Sequence, residues 1–201
     1  MRCRILAALA LALVLAADPT AASPADAGKR QAILQLDSAN TQVNFTLTGF
    51  PHTTTGSFQL KRGEIRVDPD TGNATGSIIV DAASGTTGIG MRDSNMKDNI
   101  LEVQRYPEIS FAPRHVQGHP VAQGDFTMQV SGVMLLHGDR HDMTLDVAIH
   151  RSGNDFTATT HFTVPYARWG LKNPSLLFLK VSDEVAIDAR TTGRVTWAPA
   201  P

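Results

Sequence analysis

The stretch Val43-Asn44-Phe45-Thr46-Leu47-Thr48 puts an apolar side chain at every second position. Successive side chains of a strand point to opposite faces, so Val43, Phe45 and Leu47 share one face and the polar residues take the other. That is the pattern of a strand with one side buried. The same period returns in Ile65 and Val67, Ile78 and Val80, Ile109 and Phe111, Met143, Leu145 and Val147, Phe156 to Phe162, and Val185 and Ile187. Turn-forming clusters separate these runs, and Lys61-Arg62-Gly63, Asp68-Pro69-Asp70-Thr71-Gly72-Asn73, His137-Gly138-Asp139-Arg140 and Arg151-Ser152-Gly153-Asn154 each read as a hairpin connection. Strand follows strand with little helix. The sequence therefore predicts one all-β, antiparallel domain over residues 32–197, either a sandwich or an up-and-down barrel.

Two segments break the rhythm. Asp93-Ser94 can cap a short helix from Ser94 to Leu101, on which Met96 and Ile100 share a face at i, i+4 spacing, and which ends before Tyr106-Pro107. Pro165 to Ser175 carries two prolines and a glycine and cannot be regular strand. Residues 23–31 and Ala198 to Pro201 read as disordered tails.

Arg2 and Arg4 precede an apolar run from Ile5 to Ala17 that is followed by small residues, the form of a secretory signal peptide over residues 1–22. Small residues offer several cleavage points between Val14 and Ala27. The run is shorter than the ~20 apolar residues of a membrane span, and no later stretch can stop transfer. A periplasmic protein without stable membrane insertion is the expectation. Cys3, the single cysteine, lies before the apolar run, so the processed chain has neither a lipoprotein cysteine nor a disulfide and must be held by its core. With a net charge of -1 and scattered Lys and Arg, the chain offers no basic face for nucleic acid.

Inward alternation nominates a lining of Val43, Phe45, Leu47, Phe58, Ile78, Val80, Phe111, Met134, Leu136, Leu145, Phe156 and Phe162. Such a stripe either fills a barrel solidly or faces an apolar ligand. Apolar burial at ~25 cal/mol per Å² makes a long hydrocarbon chain a strong occupant of a dry channel, and Met96, Met134 and Met143 let that channel adapt. The helix would cover the mouth with Met96, Ile100 and Leu101. Arg92 can pair with a ligand head group, although capping by Asp93 and bracing by Arg92 is the favoured reading of that pair. His137 and His141 sit on a turn rather than a helix face, and no third ligand is nearby, so they do not make a zinc site. No nucleophile elbow, catalytic cysteine or phosphate-binding glycine loop is present, and no cofactor is implied.

Met91-Arg92-Asp93-Ser94-Asn95-Met96, followed by Ile100-Leu101-Glu102-Val103-Gln104-Arg105-Tyr106-Pro107-Glu108-Ile109-Ser110-Phe111, resembles the signature segment of the YceI family. Asp81-Ala82-Ala83-Ser84 upstream fits it too, as do Leu136-His137-Gly138 and Met143-Thr144-Leu145-Asp146-Val147. The resemblance runs from Leu34 to Gly193. It departs at Val164-Pro165-Tyr166-Ala167-Arg168-Trp169-Gly170, where much of the family has an Arg before an aromatic-Gly pair; the chain is similar there to the branch with Trp-Gly-Leu-Lys-Asn-Pro-Ser. The resemblance implies an eight-stranded lipocalin-like barrel around a polyisoprenoid or other long-chain amphiphile, with Trp169 at the pocket mouth. Three functions follow from these residues: a periplasmic lipid carrier, an enzyme acting on an isoprenoid lipid, or an interaction module with a solid core. The first is favoured because no nucleophile and base can be named. A homodimer is among the states left open.

Overall fold

Alternating strands with a buried face must pair until no edge is left exposed, and here they close on themselves. The computed structural model describes residues 30–175 and 180–199; the signal peptide and most of the N-terminal tail expected from the sequence lie outside these. Its strands are β1 (Arg30–Leu36), β2 (Gln42–Leu47), β3 (Gly49–Phe50), β4 (Thr54–Val67), β5 (Ala74–Thr86), β6 (Glu108–Gly118), β7 (Gln123–Leu136), β8 (Asp139–Ser152), β9 (Asp155–Val164), β10 (Lys180–Val181) and β11 (Val185–Pro199). The order β11-β2-β4-β5-β6-β7-β8-β9 returns to β11, giving a closed eight-stranded antiparallel barrel.

β1 and β2 share one place in that barrel, since each pairs with both β11 and β4. A 3-10 turn, Ser38–Asn40, separates them and is capped by Asp37, whose carboxylate accepts from Ala39 N at 2.9 Å and Asn40 Nδ2 at 2.6 Å. The Asn40 amide first, and the Ala39 N–H next, hold the Asp37 carboxyl below the usual carboxylate range. The ends of the barrel reach beyond the expected bounds. Arg30 pairs with Pro199 and Gln31 with Ala198, so these residues are strand rather than tail.

Lys61-Arg62-Gly63 is not a hairpin. It lies inside β4 as a bulge, where the register with β5 shifts between Leu60 and Arg62. The extra residue changes which parity faces inward: Phe58 and Leu60 lie opposite inward residues before it, Ile65 and Val67 after it. One long strand thus carries two alternating runs out of phase, which in sequence look like two strands. A second shift, between Ser57 and Gln59, is bridged by Ser84 Oγ, which accepts from Gln59 N at 2.8 Å and donates to Asp81 O at 2.6 Å. That is the structural work of the Asp81-Ala82-Ala83-Ser84 segment.

Polar residues occupy the outer face, as in the exposed Asp142, Thr144 and Asp146 of β8, with Met143, Leu145 and Val147 inside. A membrane-spanning barrel has the reverse arrangement. Among the described residues no helix is long and apolar enough to cross a membrane. Two outward apolar residues, Ile79 and Val133, are nonetheless buried. Lys61 of β4 bridges to Glu108 of β6 at 2.7 Å across β5, and Arg114 of β6 bridges to Asp142 of β8 at 3.2 Å across β7, so charged side chains with long apolar stems pass over both positions.

Inside the barrel, four phenylalanine rings lie where a neighbouring strand has glycine, Phe58 over Gly85 among them. Phe45 is opposite Gly56 and Phe156 opposite Gly193, while Gly132 lies diagonal to Phe111. A β-carbon on Gly132 would stand 2.7 Å from the Phe111 ring, and one on Gly193 would stand 2.5 Å from the Phe156 ring. The rings fill the volume of missing β-carbons and so lie against the wall. Gly193→Ala should therefore overpack the barrel and lower stability by about 1–3 kcal/mol in urea denaturation. An unchanged midpoint would show that both the Phe156 ring and the Gln35 carbonyl, against which the added β-carbon would stand, give way without cost.

Candidate ligand-binding lumen

Because directly paired residues share a face, the register decides which side chains look inward. Ile78 pairs with Phe111, Phe111 with Met134, Val80 with Ile109, Val43 with Phe58, and Ile187 with both Phe45 and Phe162. The sequence-derived lining residues Val43, Phe45, Leu47, Phe58, Ile78, Val80, Phe111, Met134, Leu136, Leu145 and Phe162 thus all face the interior. Phe156 does too, but it packs with Ala32 and Val195 in a separate cluster at the opposite end from the helix. Alternation fixes the face of a residue and not its height along the barrel.

No large side chain among the described residues is below 2 % exposed, and Phe58, Ile78, Met143, Val147 and Phe162 keep accessible surface although they point inward. The alternation also brings in residues that the sequence lining omitted. Met143 and Val147 flank Leu145 at i±2, Val130 lies opposite Leu145, and His141 lies opposite Met134. The signal was available for each, since a residue two or four positions from an inward one on the same strand is itself inward.

The helical segment starts earlier than its capping residues suggested. Helix α1 runs over Gly90–Asn95 from Ile89, with no side-chain cap, and continues as one π turn over Met96–Ile100 that closes with Leu101 N on Met96 O at 2.9 Å. Asp93 is not the N-cap. Its carboxylate reaches back to the end of β5, accepting from Thr87 N at 2.7 Å, Thr87 Oγ1 at 2.6 Å and Thr86 Oγ1 at 2.8 Å. Met96, Ile100 and Leu101 all pack against the inner apolar cluster, and Met96 meets Phe58 above Gly85. Arg92 is exposed and does not brace the loop: it makes no hydrogen bond or ion pair among the described residues.

The rim opposite α1 is built by the irregular Pro165–Ser175 loop, which is tied to the β10–β11 connection. The Tyr166 hydroxyl donates to Ser182 O at 2.6 Å, Ala167 N donates to Asp183 O at 3.2 Å, and Asn173 Nδ2 donates to the Asp183 carboxylate at 2.7 Å. Burial first, and the Asp183 carboxylate next, push the Tyr166 hydroxyl above its usual range, which keeps it protonated as a donor. The loop carries Trp169 onto the inner cluster, where its ring stacks on His141 with centroids 3.8 Å apart and planes 2° apart.

His137 and Gly138 form the β7–β8 turn with φ of 52° and 86°, the two left-handed positions of a two-residue hairpin. Tyr106 packs on both: its ring centroid is 4.5 Å from that of His137, and a β-carbon on Gly138 would meet the ring at 2.6 Å. The Tyr-Pro and His-Gly segments of the sequence are thus two halves of one contact. His137 and His141 have different neighbours, and among the described residues no three His, Cys, Asp or Glu side chains gather as a metal site would need.

A model of the YceI-like domain matches residues 34–192. The chain belongs to the YceI-like family. No curated protein sequence matches it significantly. Among solved structures it is similar to BcnA of Burkholderia cenocepacia, with 16% sequence identity and a TM-score of 0.65 over 78% of this chain and 98% of that one. It is similar as well to a polyisoprenoid binding domain from Saccharophagus degradans implicated in plant cell wall breakdown, with 18% identity and a TM-score of 0.62 over 81% of this chain and 98% of that one. At these identities the likeness is one of fold.

In this YceI-like barrel the Asp93 tether gives a pH signature. The Thr87 hydroxyl, aided by Thr86, holds the Asp93 carboxyl below the usual range against the opposing effect of burial. Its contribution to stability is complete above the ordinary carboxylate titration near about pH 4 and is lost as pH falls through the lowered value. Asp93→Asn should lower the melting temperature at neutral pH and flatten its fall on acidification. Parallel acid profiles for the two proteins would show that the tether contributes nothing.

Proposed function

We propose that this chain is a periplasmic carrier that holds a polyisoprenoid or similar long-chain apolar molecule inside its barrel. The observation that carries this reading is the inner wall. Phenylalanine rings laid over glycines, and inward apolar side chains that keep accessible surface, support an interior able to take an apolar chain over a solid-core module. A hydrocarbon chain that displaces water from such space gains ~25 cal/mol for each Å² of apolar surface removed from water. Membership of the YceI-like family supports the reading, and so does the fold shared with a protein described as a polyisoprenoid binding domain. The apolar, Arg-led N-terminus in the sequence supports the periplasmic setting. Binding is favoured over catalysis because no nucleophile paired with a base is found in the lumen among the described residues.

The protein purified from its own periplasm should yield a stoichiometric long-chain lipid in organic extract, identified by mass spectrometry. An extract without one would overturn the reading. The helix variant separates lid from core. Replacing Met96 and Ile100 by Ser should weaken lipid retention by roughly 1 to 3 kcal/mol for each side chain and shift the denaturation midpoint less than Ile78→Ser does. Undiminished retention with an equal stability loss would make the helix plain core.

A further inference from the structure

Two buried side-chain nitrogens among the described residues have no hydrogen-bond partner, and both are histidine Nε2 atoms, of His137 and His141. His137 Nε2 lies 3.6 Å from Glu102 Oε1, so a polar group faces it. His141 has no such neighbour. It sits on the inner face of β8 opposite Met134, two residues from Met143, and Trp169 lies flat against it. Leaving an imidazole nitrogen buried without a partner is costly, whereas an apolar residue at this position would be cheap in a wall made of Met134, Met143 and Leu145. The described chain supplies no partner. An occupant of the lumen can reach the inner face at this rim and supply that partner.

We propose that His141 hydrogen-bonds a neutral oxygen at the polar end of the lumen's long-chain ligand, with Trp169 as a cover that slides off the imidazole to admit it. The inference rests on the carrier reading and narrows the ligand to isoprenoids that end in a hydroxyl or carbonyl. Neutral imidazole can donate to a carbonyl, or either donate to or accept from a hydroxyl, according to its tautomer. A phosphate end would need cations, and those of the rim are engaged or exposed: Arg168 pairs with Glu184 at 3.1 Å, Lys172 lies 4.0 Å from the Glu102 carboxylate, and Arg92 is exposed. The cover moves at its side chain while its backbone stays pinned, since Trp169 N donates to Pro165 O and Tyr166 O at 3.1 Å each.

The test uses the delipidated mature protein with Trp197→Phe, which leaves Trp169 as its one tryptophan. Geranylgeraniol and the corresponding hydrocarbon without the hydroxyl are the probes. The alcohol should bind about tenfold more tightly than the hydrocarbon, the factor one hydrogen bond carries, and should shift Trp169 emission as the stack opens. His141→Phe should bind the hydrocarbon as before and lose the preference, and His141→Gln, which keeps a hydrogen-bonding end, should retain part of it. Equal binding of both probes by the starting protein, or a preference that survives in a folded His141→Phe variant, would overturn the role of His141 while leaving the carrier intact. Failure of both probes to bind would overturn the carrier reading, and the proposal with it.

Discussion

The pairing of β9 with β11, from Val185 opposite Val164 to Arg194 opposite Asp155, is the contact on which the molecule depends. It turns a sheet with two exposed edges into a cylinder with none. Once the cylinder is closed, every strand has an inside and an outside, and period two assigns each residue to one of them. Inward Val, Ile, Leu, Met and Phe then face one another across a space whose width is set by strand number rather than by side-chain size. Glycines at 56, 85, 132 and 193 let Phe45, Phe58, Phe111 and Phe156 lie along the wall.

The two ends of the hollow differ in physical character. Phe156, Ala32 and Val195 pack together at one end. The other end is made of pieces that are individually weak: a single α-helical turn continued by a π turn, a proline-bounded loop, and a two-residue hairpin. Each is fixed by side chains reaching out of the barrel strands or the connections between them. Asp93 ties α1 to the end of β5, Asp183 and Ser182 tie the Trp169 loop to the β10–β11 connection, and Tyr106 packs on the β7–β8 turn. The rim is held by these hydrogen bonds together with the burial of Leu101, Val103, Tyr166 and Leu171 in the main apolar cluster.

The wall was legible in the sequence because period-two alternation is a local signal that needs no knowledge of partners. The inward assignment of Val43, Phe45, Ile78, Phe111 and Leu145 follows from it directly. It failed where local pattern and tertiary structure part. The bulge at Lys61 to Gly63 resembles a turn in composition, and only the register with β5 shows one continuous strand. Asp93 has the chemistry of an N-cap, yet its carboxylate is spent on Thr86 and Thr87, so the helix begins before it. Phe156 obeys the alternation and still stands apart from the main cluster, because height along the barrel depends on strand tilt. The stack of Trp169 on His141 joins a loop to a strand, and no spacing rule connects them.

An apolar hollow takes up xenon, whereas a close-packed core has no room for it. The most direct measurement is therefore a crystal structure of the delipidated protein under xenon pressure. Xenon should be found inside the barrel among Phe58, Phe111, Leu145 and Phe162, with the rings still lying over their glycines. A lumen without xenon, in which those rings have turned inward to fill the space, would contradict the hollow wall and everything built on it.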